Sequence, residues 1–83
     1  MPSKKNPKVV DKKLGRNQAV GQMVWDKNII EIDPRQTPPD YLDTLIHEKL
    51  HHLFPDWKED EVLKIATSLA EFLWSQNYRK VNL

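Results

Sequence analysis

The 83-residue sequence predicts a small α+β domain, an antiparallel sheet of about three strands followed by two helices. Short segments rich in β-branched residues occupy the first half of the chain, which favours strands. In the second half, apolar residues recur every three or four positions, which favours amphipathic helices. A chain of this length forms one domain. We place it at residues 8–83, behind a flexible basic arm at residues 1–7.

Three strands are expected before the first helix. Residues 8–13 form a weak candidate for the first strand, and residues 14–17 are typical of a turn. Residues 19–25 predict the second strand, and a polar turn of hairpin length follows at residues 26–28. Residues 29–33 form the clearest strand, because two isoleucines alternate there with acidic residues.

The first helix has a strong start signal. Thr37 can cap it, Pro38 suits the first helical position, and Asp40 completes a capping box. We expect this helix to run to about Leu53. Its apolar stripe is formed by Leu42, Ile46, Leu50 and Leu53.

A second helix is predicted after the break at residues 54–56. Asp56 can cap it, with Glu59 at its third position, and the helix should reach Tyr78 or Arg79. Its expected buried face consists of Val62, Ala66, Leu69 and Leu73, broadened by Ile65, Ala70 and Phe72.

The first helix carries the pentad His47-Glu48-Lys49-Leu50-His51, an HExxH motif. Histidines four apart point in the same direction from a helix, so both rings can reach one zinc ion. Glu48 lies beside them and is the candidate general base for a zinc-activated water. Because His47 and His51 flank the apolar stripe, we expect the site at the edge of the core, where water and a ligand can reach it.

A catalytic zinc site commonly has three protein ligands, so a third is required. Three acids open the second helix: Glu59, Asp60 and Glu61. At about 100° per residue, Glu59 falls nearest to the apolar face that should contact the first helix. We therefore prefer Glu59 and keep Glu61 as the alternative. A competing interpretation is that Glu59 only forms a capping box with Asp56.

Other residues near the motif receive weaker interpretations. His52 points about 100° away from His51, which favours a surface or supporting position over a ligand position. His52, Tyr41 and Tyr78 are candidate donors to an oxyanion, and the sequence does not rank them. The tryptophans are interpreted as core or rim residues: Trp25, Trp57 and Trp74.

Composition narrows the class of protein. The absence of cysteine excludes disulfides, thiolate metal sites and a cysteine nucleophile, and it fits a cytoplasmic location. No apolar run has the roughly 20 residues of a membrane span, and we see no signal peptide.

Six lysines and arginines lie within residues 1–16, which could contact nucleic acid. Since no aromatic residues are interleaved with them, we prefer a solvated arm.

The segment TLIHEKLH at residues 44–51 resembles the active helix of zincin metallopeptidases. The nearest similarity is to short phage and bacterial zincin-like proteins of the ImmA/IrrE and SprT-like kind. In those proteins an Ile-rich strand precedes the helix, and an acid-bearing segment similar to EDEV at residues 59–62 opens the next one. The resemblance covers about residues 19–75.

This resemblance implies a minimal zincin-like domain. It implies that His47 and His51 bind one Zn²⁺, that Glu48 is the general base and that Glu59 is the third ligand. It also implies that an extended peptide substrate pairs with the edge of the segment 29–33, which begins with Ile29 and ends with Asp33.

Three functions are therefore considered. The first is a zinc-dependent metallopeptidase that hydrolyses peptide bonds of a cytoplasmic protein. The second is a catalytically silent, zinc-stabilised binding or regulatory module, which a fourth protein ligand such as Glu61 would favour. The third, ranked last, is a nucleic-acid-associated accessory protein that uses the basic arm.

Overall fold

The computed structural model describes residues 5–15 and 19–81. Its elements, in chain order, are β1 (Lys8–Asp11), β2 (Gly21–Val24), a 3₁₀ turn (Trp25–Lys27), β3 (Ile29–Ile32), α1 (Pro38–Leu53) and α2 (Glu59–Ser75). The predicted α+β order of three strands and two helices is confirmed. The described residues leave out residues 1–4 of the predicted arm. They also leave out residues 16–18, which include the last two residues of the first predicted turn.

The sheet is mixed, so the prediction of an antiparallel sheet is wrong for its first strand. The strand order is β1–β3–β2, with β2 antiparallel and β1 parallel to β3. The last residue of β1, Asp11, and the first residue of β2, Gly21, are both paired with Ile32, and the hairpin places β3 between the two earlier strands. As the central strand, β3 carries Ile30 and Ile32, which are 1% and 0% exposed.

The predicted start and end of α1 are confirmed. Thr37 is its N-cap, and the Thr37 hydroxyl oxygen accepts a hydrogen bond from the Asp40 backbone N–H at 3.4 Å. The helix ends at Leu53.

Both predicted boundaries of α2 need correction. Its N-cap is Lys58, without a side-chain hydrogen bond to the helix, so the expected cap by Asp56 is wrong. The helix ends at Ser75 instead of Tyr78 or Arg79. Asn77 adopts a left-handed conformation with φ of 67°, which stops the helical repeat.

The helices pack through a narrower face than predicted. Leu50 of α1 meets Val62 and Ala66 of α2 in the core between them, with Ile46 and Trp57 against it. The small side chain of Ala66 permits close approach of the two helices. Several residues assigned to the buried faces are instead 37–61% exposed, namely Leu53, Ile65, Leu69 and Phe72. Neither described helix is long and apolar enough to cross a lipid bilayer.

Candidate metal centre

Two histidines on adjacent turns of α1 form the base of the site. The Nε2 atoms of His47 and His51 lie 3.1 Å apart, as expected for side chains four residues apart on one helix. Their side chains are 14% and 23% exposed. They therefore lie at the edge of the core, within reach of solvent, as the sequence predicted.

Glu59 brings a carboxylate to this pair from α2. Its Oε1 lies 2.6 Å from Nε2 of His47, and its Oε2 lies 2.8 Å from Nε2 of His51. The Glu59 side chain is 70% exposed, so it closes the group from the solvent side. Among the described residues, Glu61 does not join this group.

The position of Glu59 follows from the way the two helices meet. Glu59 is the first residue of α2, and the core contact between Leu50 and Val62 holds that end of α2 beside the second half of α1. The capping-box interpretation places Glu59 at the third helical position, which the structure contradicts. The Glu59 carboxylate is directed to the histidines instead.

The three side chains suit one metal ion. One ligand atom from each of His47, His51 and Glu59 lies within 4.8 Å of the others. Zinc–nitrogen distances of about 2.0–2.1 Å in a tetrahedral site require neighbouring ligand atoms about 3.3 Å apart. Small side-chain adjustments from the present distances meet that requirement. Two imidazoles and a carboxylate are also a donor set found in catalytic zinc sites.

Glu48 lies beside this group without belonging to it. It is 8% exposed, and burial raises the pKa of its carboxyl group, while nearby His47 and His51 oppose that rise and Glu59 adds to it. Its side chain borders the cavities on both sides of the histidines. A carboxylate in this position can exchange a proton with a molecule held in front of the histidines.

Gly21 permits the close approach of β2 to the pentad helix. A Cβ atom at this position would lie 2.5 Å from Cγ2 of Thr44 and 3.3 Å from Cγ of Glu48. Any larger residue would therefore push the strand away from the helix or displace Glu48. The sequence analysis did not single out this glycine, although a glycine within a predicted strand signals close backbone approach.

A cleft runs across the group of three ligands along β2. One arm, a cavity of about 600 Å³, is bordered by Met23, Trp25 and Pro55. The other arm, about 500 Å³, is bordered by Gln36, Asp40, Asp43 and Leu63 among others. Residues common to both arms are Ala19, Gly21, His47, Glu48 and Glu59. The first arm thus carries a tryptophan and a methionine and the second two aspartates, while Glu48 and Glu59 border both.

The expected peptide-pairing edge at residues 29–33 is wrong. These residues form the central strand β3 and the residue after it, and β3 is hydrogen-bonded to a strand on each side. Its backbone groups are therefore already used by the sheet. The edge strand that borders the cleft is β2.

The three candidate oxyanion donors do not line the cleft. His52 is 3% exposed, and its Nδ1 accepts a hydrogen bond from Lys49 Nζ at 3.3 Å. Tyr41 donates to Asp11 at 2.5 Å, and Tyr41 and Tyr78 border a separate cavity of about 850 Å³.

No family model, curated protein or solved structure matches this chain.

Proposed function

We propose that this protein is a minimal zinc-dependent metallopeptidase. The observation that carries the proposal is the convergence of His47, His51 and Glu59 in an open cleft. The carboxylate of Glu48 borders the same cleft but is not one of the three ligands. This arrangement has the donor set for zinc and a further acid that is left for proton transfer. His47, His51 and Glu59 would hold the ion.

A bound zinc ion supplies Lewis acidity, which acidifies a water molecule and polarises a carbonyl group. The Glu48 carboxylate would accept a proton from a water molecule in front of the histidines and return it to the nitrogen of the leaving amine. Burial raises the pKa of the Glu48 carboxyl group, which makes its carboxylate a stronger proton acceptor.

The edge of β2 supports a peptide as the substrate. Among the described strands, β2 pairs only with β3, and its residues Gly21, Gln22 and Met23 border the cleft. An extended peptide could add there as a further strand, with backbone hydrogen bonds to residues 21–24. Its backbone would then pass in front of the histidines and Glu48.

The decisive comparison is between the parent protein and Glu48→Gln, both loaded with zinc. We expect the parent to cleave members of a mixed peptide library, as followed by mass spectrometry. Glu48→Gln should retain one zinc ion per chain and lose about 10²–10⁴-fold in rate, since it removes the proton acceptor and no ligand. Glu61→Gln, on the same turn of α2 as Glu59, is the matched control and should cleave like the parent.

Equal cleavage by Glu48→Gln and the parent would refute the mechanism. Stoichiometric zinc binding without cleavage of any peptide by the parent would favour the alternative function, a zinc-stabilised binding or regulatory module.

A further inference from the structure

Trp25 places a large apolar surface next to the candidate metal centre. It is the first residue of the turn after β2, and it is 54% exposed. The cavity that Trp25 and Met23 border also reaches His47, Glu48 and His51. The Trp25 indole therefore presents apolar surface at the border of the cavity that contains the histidines.

The spacing of the residues along β2 determines which of their side chains face α1. Gly21 faces α1, since a Cβ atom there would meet Thr44 and Glu48. Side chains alternate along a strand, so Met23 shares that face and Trp25 continues the same spacing into the turn. The space on the α1 side of Gly21 is filled by Thr44 and Glu48. A side chain of a peptide lying along β2 would meet apolar surface beyond the glycine, at Met23 and Trp25.

The indole of Trp25 is held in place by a contact with His52 of α1. Its ring stacks on the ring of His52, with centroids 6.1 Å apart and planes inclined by 23°. His52 is buried, and Lys49 Nζ donates to His52 Nδ1 at 3.3 Å and to Asn6 Oδ1 at 2.7 Å. A ring fixed by such contacts loses little conformational entropy when a ligand packs on it.

We propose that Trp25 and Met23 form a specificity subsite for an aromatic or long aliphatic side chain next to the peptide bond that is cleaved. This subsite rests on the proposed peptidase function and names its substrate class. Pro55 adds a further apolar contact to the same arm of the cleft. The carboxylates of Glu48 and Glu59 border the cavity as well, so an acidic side chain is disfavoured there.

The subsite can be tested by binding as well as by cleavage. The probes are two short peptide hydroxamates that differ only in one side chain, phenylalanine or alanine, because a hydroxamate binds zinc without being turned over. We expect the zinc-loaded parent to bind the phenylalanine compound at least about 10-fold more tightly, the discrimination typical of an apolar pocket. In cleavage of a peptide library, the same preference should be seen next to the cleaved bond.

Three variants test whether the preference for the phenylalanine compound depends on Trp25. Trp25→Ala should reduce the preference to about threefold or less, and Trp25→Phe should retain most of it, with zinc affinity unchanged in both. Phe72→Ala is the control, because Phe72 is 61% exposed on α2 and does not border the cleft. If Trp25→Ala does not fold, Met23→Ala serves instead and should lower the preference in the same direction.

The two proposals fail in different ways. Equal binding of the two hydroxamates by the parent, binding of neither, or an unchanged preference in Trp25→Ala overturns the subsite, even if peptides are cleaved. A clear preference in binding, together with no cleavage of any peptide, supports the subsite and refutes the peptidase function.

Discussion

The carboxylate of Glu59 reaches His47 from the other helix, with Glu59 Oε1 2.6 Å from His47 Nε2. The two residues are held together by the packing of α2 against α1. Since Glu59 is 70% exposed and His47 only 14%, the acid closes the site from the solvent side. The geometry of this pair therefore depends on the tertiary fold, and it distinguishes Glu59 from the neighbouring acids.

Replacement of Glu59 should weaken metal binding more than replacement of Glu61. We expect Glu59→Gln to lose at least about 10-fold in zinc affinity, since loss of even a supporting partner of a metal ligand costs about 10–100-fold. Competition with a chromophoric chelator measures the affinity. Glu61→Gln removes the same charge from the same helical turn and should bind like the parent. Equal losses in both variants would mean that charge, and not ligation, controls affinity.

Zinc should stabilise the folded chain. At a free zinc concentration 100 times the dissociation constant, one site that is formed only in the native state adds about 2.7 kcal/mol to the free energy of unfolding. Thermal melting followed by circular dichroism should therefore give a higher Tm with zinc and a lower Tm with chelator. In His51→Ala the Tm should be insensitive to zinc. A parent Tm that does not change with zinc contradicts the site.

Enlarging Gly21 should disturb both the fold and the site. In Gly21→Ala the new methyl group would lie 2.5 Å from Cγ2 of Thr44, which is itself buried, so β2 and α1 must separate. We expect a loss of about 1–3 kcal/mol in the free energy of unfolding, as for other overpacked positions. Urea denaturation measures it. Gly15→Ala, at an exposed glycine, is the matched control, and an equal effect at both positions would exclude the close contact as the cause.

Asp33 should make stability depend on pH in the acid range. Its carboxylate accepts hydrogen bonds from the Leu14 backbone N–H at 3.1 Å and from the Arg35 backbone N–H at 3.0 Å. The Arg35 side chain, the Arg35 backbone and the Leu14 backbone hold the pKa of Asp33 well below its usual value, against the opposing effect of burial.

The sign of the effect follows from this lowered pKa. The stabilisation by ionised Asp33 is fully present above the unfolded-state pKa of about 3.9 and is lost as pH falls from there towards the lower native pKa. Asp33→Asn should therefore be less stable than the parent at pH 7, and the difference should shrink as pH falls below about 4. Urea midpoints at several pH values measure this, and a difference that stays constant with pH would contradict it.

Much of the local structure could be predicted because it depends on neighbours in sequence. The Thr37 cap, the run of α1 to Leu53 and the shared direction of His47 and His51 all follow from interactions within about four residues. The same holds for the hairpin turn, where Asn28 adopts the left-handed conformation. These features need no knowledge of the rest of the fold.

Long-range packing explains the predictions that were wrong. The order of the strands depends on how the chain crosses the sheet, so β3 is central and, among the described strands, the edge strand that borders the cleft is β2. Apolar periodicity marks a face of α2 but does not reveal how wide its contact is, and Phe72 remains exposed. The end of α2 was missed because Asn77, a polar residue, ends the helix by its backbone conformation.

The sequence by itself determined that His47, Glu48 and His51 lie together on α1, since HExxH on a capped helix brings two imidazoles and a carboxylate together through helical geometry alone. The tertiary structure decided between Glu59, which helical phase favoured, and Glu61, and it alone showed that β2 and Trp25 border the site. Each of these depends on contacts between residues distant in the chain. Such contacts are selected by packing, and local sequence pattern does not encode them.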